Sequence, residues 1–591
     1  MTAGKGKIAP CDGDLTLLAE YVFHHTMAKQ RIWASLDPFY ESGPLMGRKV
    51  ANAAFLNALL QLDPFDAYHF FPMSRPMLEN LEQALTLQHP SLTAQGRIVL
   101  HYRRELPHQL RSCAYYCFHQ SDCINYQPHL ARVRNLCSAE IFPITGGIHS
   151  LSLASYAERF LAHLWPGTTP RDAIVATSQA GREAVAGFFR EARTAYVLSG
   201  EYREPRLETI PLGVNAEGMQ PLDATSREAL RQGMDIPEET TAFLCFGRLE
   251  HHSKMDILPL FRAFMRLFMD GVPREKVVLL LAGWADEDDD FPDELRALAK
   301  GFNLDLRLVL RPDKKTKTEL FQAADIFVSI ADNPQETFGL TILEAGAFAL
   351  PVIASDYDGY KDLVQDEGTG LLVPTIGPDT TQEIDAMSRL LFDNQYHLPL
   401  AQRLVVDVPA LARCMGRLLA DPAGARNMGR AGRAQAMELT WTRCVREHLR
   451  LWDELWEAPV VHVEHVGNVE SGLKTVRHPL QVPYARIFEG YPTQILDGKL
   501  TLQISRAGQA VYRDIDHPVI YEGISGIVST EAVHALLFAA RKPQTVEQLV
   551  GMIMEPGRIG RIGRIGGIET VEQAEALVLW ALKHDFLERC A

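Results

Sequence analysis

The chain is 591 residues long, enough for about three or four domains. Its 47% hydrophobic and 23% charged residues are the composition of a globular protein, not of a disordered or fibrous one. A formal net charge of −15 removes any general electrostatic reason to coat nucleic acid or an anionic membrane, while leaving room for a local basic groove around a phosphorylated small molecule.

No stretch approaches the roughly 18 apolar residues needed to span a bilayer. The N-terminal sequence MTAGKGKIAPCDGD lacks the apolar core of a secretory signal. The nine cysteines are scattered, and Cys113, Cys117, Cys123 and Cys137 do not have the short paired spacing of a zinc site. Free thiols and a cytoplasmic address are expected.

From about residue 30 to 210, strands and helices alternate. Arg31–Leu36 reads as a short apolar strand, followed by the loop Tyr40–Gly47 and a helix over Lys49–Leu62 with a stripe at Val50, Ala54, Leu56 and Leu60. Strands are predicted at Tyr115–His119, Ile141–Thr145 and Ala173–Thr177, with a helix near His129–Cys137. That rhythm favours a parallel sheet covered by helices.

The pattern restarts near Thr241. Ala242–Phe246, Val277–Leu281, Leu306–Leu310 and Ile326–Ile330 are continuous apolar runs, as strands buried on both faces require. Between the first two, Ile257, Leu260, Phe261, Phe264, Leu267 and Phe268 form a helical stripe that packs on the sheet. Two successive α/β units predict two facing doubly wound domains and a cleft between them.

Beyond them, Met437–Trp456 reads as one amphipathic helix and Ala458–Val482 as a connector. From Gln494 a hairpin is predicted, turning at Asp497-Gly498. Helices follow at Thr530–Ala540, Val546–Ile553 and Val571–His584, the last two opened by Thr-Val-Glu-Gln capping boxes. The Arg-Ile-Gly repeat at 558–566 reads as an elongated loop, and the acidic run Asp286–Asp290 as a solvated one.

The most informative stretch is Asp325–Pro374, read as strand, loop, helix, strand, loop. Glu336 sits in the first loop, and Thr337 is the expected N-cap of the next helix. Phe338, Gly339 and Leu340 then offer backbone N–H groups to an anion. Glu344 follows two turns on. The two carboxylates bracket a phosphate-sized positive end, one placed for sugar hydroxyls and the other for a ribose, unless both are solvated surface glutamates.

Glu336 and Glu344, seven residues apart and followed by Ala345, Gly346, Leu350 and Pro351, resemble the E-x7-E signature of retaining glycosyltransferases of family 4. So do Val352–Asp356, Gly370–Pro374 and the closing segment from Asp421-Pro422 through Met428-Gly429 to Trp441. The resemblance covers roughly residues 30–456. It implies the GT-B fold, two Rossmann-like domains around a nucleotide-sugar cleft, and a metal-independent reaction with a UDP- or GDP-sugar as co-substrate. His251-His252 accordingly reads as a solvated pair.

The resemblance also implies individual roles. Phe246-Gly247-Arg248-Leu249 with Lys254 is similar to the family's diphosphate-binding segment. Arg248 forks two phosphate oxygens and Lys254 adds a compact charge. Glu336 would hold donor-sugar hydroxyls, Glu344 the ribose, and the segment Thr337, Phe338, Gly339, Leu340 the phosphates. His149, at the end of Pro143–Ser150, would contact the transferred sugar. Ser42, Gly43 and Gly47 stand where the family has a glycine-rich loop, here Ser-Gly-Pro-Leu-Met-Gly.

The expected division is therefore an acceptor domain over 1–212, a donor domain over 213–430, a closing helix over 431–457, a linker over 458–482, and a small winged-helix-like module over 483–591. Thr530 to Glu588 resembles PqqD-like domains that recognise leader peptides, which implies a peptide partner; a stabilising or dimerising appendage is the other reading of that module. Competing readings of the whole are a nucleotide-sugar epimerase or hydrolase of the same fold, and a peptide-binding scaffold. The acceptor and the oligomeric state stay open.

Overall fold

The computed structural model describes residues 30–590 except 42–46, 253, 286–289, 461–471 and 556–567. The chain divides into two compact units, Met1–Leu480 and Gln481–Ala591.

The first unit contains two parallel sheets. One is built from β1 (Ile32–Ser35), β2 (Ala67–Phe70), β3 (Ile98–Leu100), β4 (Tyr115–Gln120), β5 (Ile144–Gly147), β6 (Asp172–Ala176) and β7 (Arg206–Thr209), in the order β3-β2-β1-β4-β5-β6-β7. The other contains β8 (Thr241–Arg248), β9 (Val277–Trp284), β10 (Leu306–Leu310), β11 (Ile326–Ser329), β12 (Val352–Ser355) and β13 (Gly370–Val373), in the order β10-β9-β8-β11-β12-β13. Both orders reverse direction beside the first strand of the sheet, the doubly wound pattern that opens a crevice at the carboxyl ends of the strands.

The apolar runs form these strands because helices cover both faces. Strand β5 starts at Ile144, three residues later than expected. Pro143 has no N–H to give the ladder, although its carbonyl still accepts from Phe118.

The helices that position the site are α1 (Gly47–Leu62), α2 (Gln179–Tyr196), α3 (Leu258–Met269), α4 (Lys314–Ala323), α5 (Leu340–Ala347), α6 (Asp393–Ala401), α7 (Pro422–Glu438) and α8 (Trp441–Glu457). In α3 the predicted stripe is buried at Leu260, Phe261, Phe264 and Leu267.

The single helix expected over Met437–Trp456 is two. It breaks at Leu439-Thr440, where the Thr440 hydroxyl accepts from the Arg443 amide and caps α8. The break lets α7 pack on α5 while α8 crosses to the N-terminal sheet. There Trp452 is fully buried, and its indole N–H donates to Thr145 Oγ1 at 2.9 Å.

The second unit has a three-stranded antiparallel sheet of β14 (Thr501–Ile504), β15 (Gln544–Thr545) and β16 (Leu587–Arg589), with β14 central. Around it lie α9 (Thr530–Ala539), α10 (Val546–Met554) and α11 (Val571–Lys583). Both Thr-Val-Glu-Gln capping boxes are formed, at Thr545 and Thr570.

The hairpin predicted around Asp497-Gly498 does not form. A local turn is present, with the Leu500 amide donating to the Asp497 carbonyl. However, both edges of β14 are occupied, by β15 and β16, so residues 494–496 have no edge to join. The Arg-Ile-Gly repeat at 558–566 and Asp286–Asp289 lie outside the described residues.

Candidate active site at the carboxyl ends of two sheets

The two sheets of the first unit meet at their carboxyl ends. Just past β6, Ser178 caps α2 by accepting from the Gly181 amide at 3.0 Å, and its hydroxyl donates across the cleft to the Thr337 carbonyl at 2.6 Å. Thr177 Oγ1 reaches the same carbonyl at 3.3 Å, and the Gln179 amide donates to Asp362 Oδ2 at 2.5 Å. A helix N-terminus thus receives a carboxylate from the opposite domain.

On the side of the second sheet the loop after β11 folds tightly. Thr337 is not the N-cap of α5. That position falls to Gly339, at φ +103°, where a Cβ would lie 2.6 Å from the Tyr360 ring. The Phe338 amide, expected to face an anion, is engaged by Glu336 Oε1 at 3.3 Å, as is the Thr337 amide at 3.2 Å. The Gly339 and Leu340 amides have no hydrogen-bond partner among the described residues.

Glu336 also reaches Lys254. The ammonium pairs directly with Glu336 Oε2 and donates to the Tyr360 hydroxyl at 3.3 Å, with the side chains 12% and 18% exposed. Burial alone would push the Lys254 pKa down; the Glu336 carboxylate and Tyr360 outweigh it and hold the ammonium above its ordinary value. Burial opposes ionisation of Glu336 as well. The Lys254 charge and the two amides overcome this and lower its pKa. Both groups are therefore charged at neutral pH.

Arg248, at the end of β8, lies 3.0 Å from Glu250. Glu344 sits in the middle of α5, its Oε1 paired with Lys317 of α4 at 2.7 Å. Glu344 Oε2 is buried and has no hydrogen-bond partner among the described residues. The site thus keeps one polar atom for a hydroxyl to satisfy.

Four residues that the motif does not mark belong to this centre. Lys317 holds Glu344 and stands over the Phe246 ring at 5.1 Å. Tyr360 is fully buried between Lys254 and Ser329, whose hydroxyl is 2.7 Å away. Asp332 accepts from the Asp256 amide through Oδ2, while Oδ1 has no partner among the described residues; burial pushes its carboxyl up to about 7. Burial, then the nearby Glu336 charge, pushes Asp358 well above the usual carboxylate range. Only the position of Asp332 in the loop leading to Glu336 was a sequence signal for these.

In the N-terminal domain, His149 lies two residues past β5, not at its end. Its Nε2 faces Ser121 O at 2.9 Å and Asn52 Oδ1 at 3.1 Å, beside a cavity of about 40 Å³ also lined by His119 and His448. Burial pushes its pKa down to about 4, so the ring is neutral. Gly47 opens α1, whereas Ser42 and Gly43 lie outside the described residues. The His251-His252 pair is half-buried: His251 packs on Phe291 and His252 faces Glu250.

Residues 226–404 match the family model described as glycosyl transferases, group 1. The match spans β8 to β13 of the second sheet, with the helices between them. The chain's paired doubly wound sheets have the GT-B architecture expected from the sequence.

The chain is 29% identical over 253 residues to a D-inositol 3-phosphate glycosyltransferase of Xylanimonas cellulosilytica, covering 41% of this chain and 57% of that protein. It is 31% identical over 211 residues to the protein of that name from Nocardia farcinica, covering 35% and 45%. The chain spans about half the length of the curated relatives it matches. Among solved structures it is similar to Anabaena HepE in complex with UDP and glucose, at 14% identity and a TM-score of 0.47, over 72% of this chain and all of that one. No helix among the described residues is long and apolar enough to cross a membrane.

Proposed function

We propose that the chain is a retaining glycosyltransferase that moves a sugar from a UDP- or GDP-sugar to an acceptor hydroxyl. The observation that carries this reading is the convergence at the start of α5: Lys254 and Glu336 in contact, and Glu344 presenting an unsatisfied buried oxygen two turns on.

In this reading Glu344 Oε2 accepts from a ribose hydroxyl. Arg248, Lys254 and the Gly339 and Leu340 amides take up the charge that builds on the departing diphosphate, and stabilising that charge contributes most to lowering the barrier. Glu336, already holding Lys254, orients that ammonium and receives donor-sugar hydroxyls. His149 is neutral and able to hydrogen-bond the transferred sugar from the opposite domain. The acceptor attacks the face that the diphosphate leaves, and its proton passes to a leaving-phosphate oxygen, so no side-chain nucleophile or metal is invoked.

The family match lies in the donor domain and says nothing of the acceptor. A phosphorylated cyclitol, the acceptor named in the relatives, is one acceptor to test. A peptide presented by the unit Gln481–Ala591, through a PqqD-like role, is the other.

The test is a binding screen of UDP, GDP and their sugars followed by transfer assays. Binding of one nucleoside diphosphate, with thermal stabilisation, is expected. No binding, or full turnover in both Arg248→Ala and Lys254→Ala, overturns the proposal. Consumption of the donor without sugar reaching any acceptor would favour an epimerase or hydrolase.

A further inference from the structure

Between β13 and the helix Val408–Ala420, the donor domain sends out a segment, 377–404, whose base is closed by an antiparallel pairing of Thr375–Ile376 with Val405–Val406. Its second helix, α6, places two buried polar side chains side by side: Tyr396, 2% exposed, and His397, fully buried. Their hydrogen bonds reach the two loops that carry the candidate sugar-contacting residues.

The Tyr396 hydroxyl accepts from the Ala154 amide at 2.7 Å. It stands 2.8 Å from the Ser152 carbonyl and 2.9 Å from Asp393 Oδ1, to either of which it can donate. His397 Nε2 is 3.2 Å from the same Ser152 carbonyl, and its Nδ1 is 2.7 Å from Gln335 Nε2. One tautomer satisfies both contacts: Nδ1 accepts from the glutamine amide while Nε2–H donates to the carbonyl. Ser152 lies three residues beyond His149, and Gln335 immediately precedes Glu336. On either side of α6, Arg389 pairs with Glu158 at 2.6 Å, and Gln402 donates to Asp256, next to Asp332.

Each of these nearly inaccessible polar groups takes part of its hydrogen bonding from the opposite domain, Tyr396 from Ala154 and Ser152 and His397 from Ser152. When the domains separate, water replaces those partners at small net cost, so the same groups can make and break the contact reversibly.

We propose that segment 377–404 is a clasp, in which Tyr396 and His397 act as positioning residues that hold the 150–155 loop against the Gln335-Glu336 loop during transfer. The inference rests on the glycosyltransferase reading for its role in transfer, but the clasp itself is a statement about structure and is tested separately.

The experiment is amide hydrogen exchange on the full chain, with and without UDP, for wild type, Tyr396→Phe and His397→Ala. Exchange over 150–158 is expected to rise about tenfold in both variants, the effect of losing one hydrogen bond of ordinary strength. Exchange across Thr241–Arg248 should not change. His397→Gln, which keeps a donor and an acceptor, should restore most of the protection. UDP affinity should be unaltered, whereas turnover to any acceptor found should fall with the Kd for UDP constant.

Unchanged exchange over 150–158 in Tyr396→Phe overturns the clasp. That variant removes a single oxygen and decides the matter even if His397→Ala fails to fold. Failure of both UDP and GDP to bind wild type would sink the glycosyltransferase reading instead, leaving the exchange comparison to judge the clasp.

Discussion

Lys254 and Glu336, 82 residues apart in the chain, form a buried ion pair that joins the loop after β8 to the loop after β11. Each is the other's main charge partner, and Tyr360 completes the group from the segment after β12. Removing one partner strands the other in a desolvated site, which typically costs about 3–5 kcal/mol. Lys254→Met and Glu336→Gln should therefore each destabilise by about that much in urea unfolding. The double variant should lose less than the sum of the two. Strict additivity would mean that the pair is not coupled. Both single variants should also lose roughly 100-fold in turnover, the usual effect of deleting one donor that stabilises developing charge.

Glu344 offers a different experiment, because its two oxygens have different fates. Oε1 is held by Lys317 and Oε2 is unsatisfied. Glu344→Gln keeps the shape of the side chain and removes the charge. Nucleotide affinity should fall about tenfold, as when a hydrogen bond to a charged group is weakened. Titration with UDP and GDP measures this, and a nucleoside diphosphate lacking both ribose hydroxyls should bind wild type and variant alike. If the variant binds that analogue more weakly too, Glu344 does not act on the ribose.

Asp332 should make stability depend on pH in an unusual direction. Burial raises its carboxyl from 3.8 to about 7, so the folded chain holds this proton more tightly than the unfolded chain. Its favourable contribution is full below pH 3.8 and is lost as pH rises toward 7. Asp332→Asn carries no such penalty. The variant should gain on the order of 2 to 4 kcal/mol over wild type above pH 7, with the difference vanishing near pH 4. Denaturation midpoints at pH 4, 6 and 8 test this, and an advantage that did not grow with pH would refute it.

The second sheet, β8 to β13, was readable because strands buried on both faces must be uniformly apolar, and Val277–Leu281 or Ile326–Ile330 have few other places to go. Glu336 and Glu344 were readable because their spacing is local. What was not readable depends on distant partners. Asp497-Gly498 carries a strong turn signal, yet pairing was decided by strands at 544–545 and 587–589. The apolar stripe of 437–456 runs through Leu439 without interruption; only the cap at Thr440 marks the break. Lys317 sits in Lys314-Lys315-Thr316-Lys317, a run indistinguishable from a solvated face until α4 folds beside α5. His397 was hidden in the same way, since its partners lie 62 and 245 residues away.

Trp452 tests the return of the chain to the N-terminal domain. The ring is fully buried among Phe65, His119 and His448, and its N–H donates to Thr145 Oγ1, which also contacts His119 Nδ1 at 2.9 Å. Trp452→Ala removes a large core side chain and should cost about 3–5 kcal/mol. Trp452→Phe keeps most of the apolar area and loses the hydrogen bond, so about 1–2 kcal/mol is expected. Because α8 is carried over from the domain of the second sheet by α7, loosening it should also increase amide exchange at the Leu439-Thr440 break. Urea unfolding with exchange readout separates the two effects. Equal costs for the two variants would mean that Thr145, not ring packing, fixes α8 on the sheet.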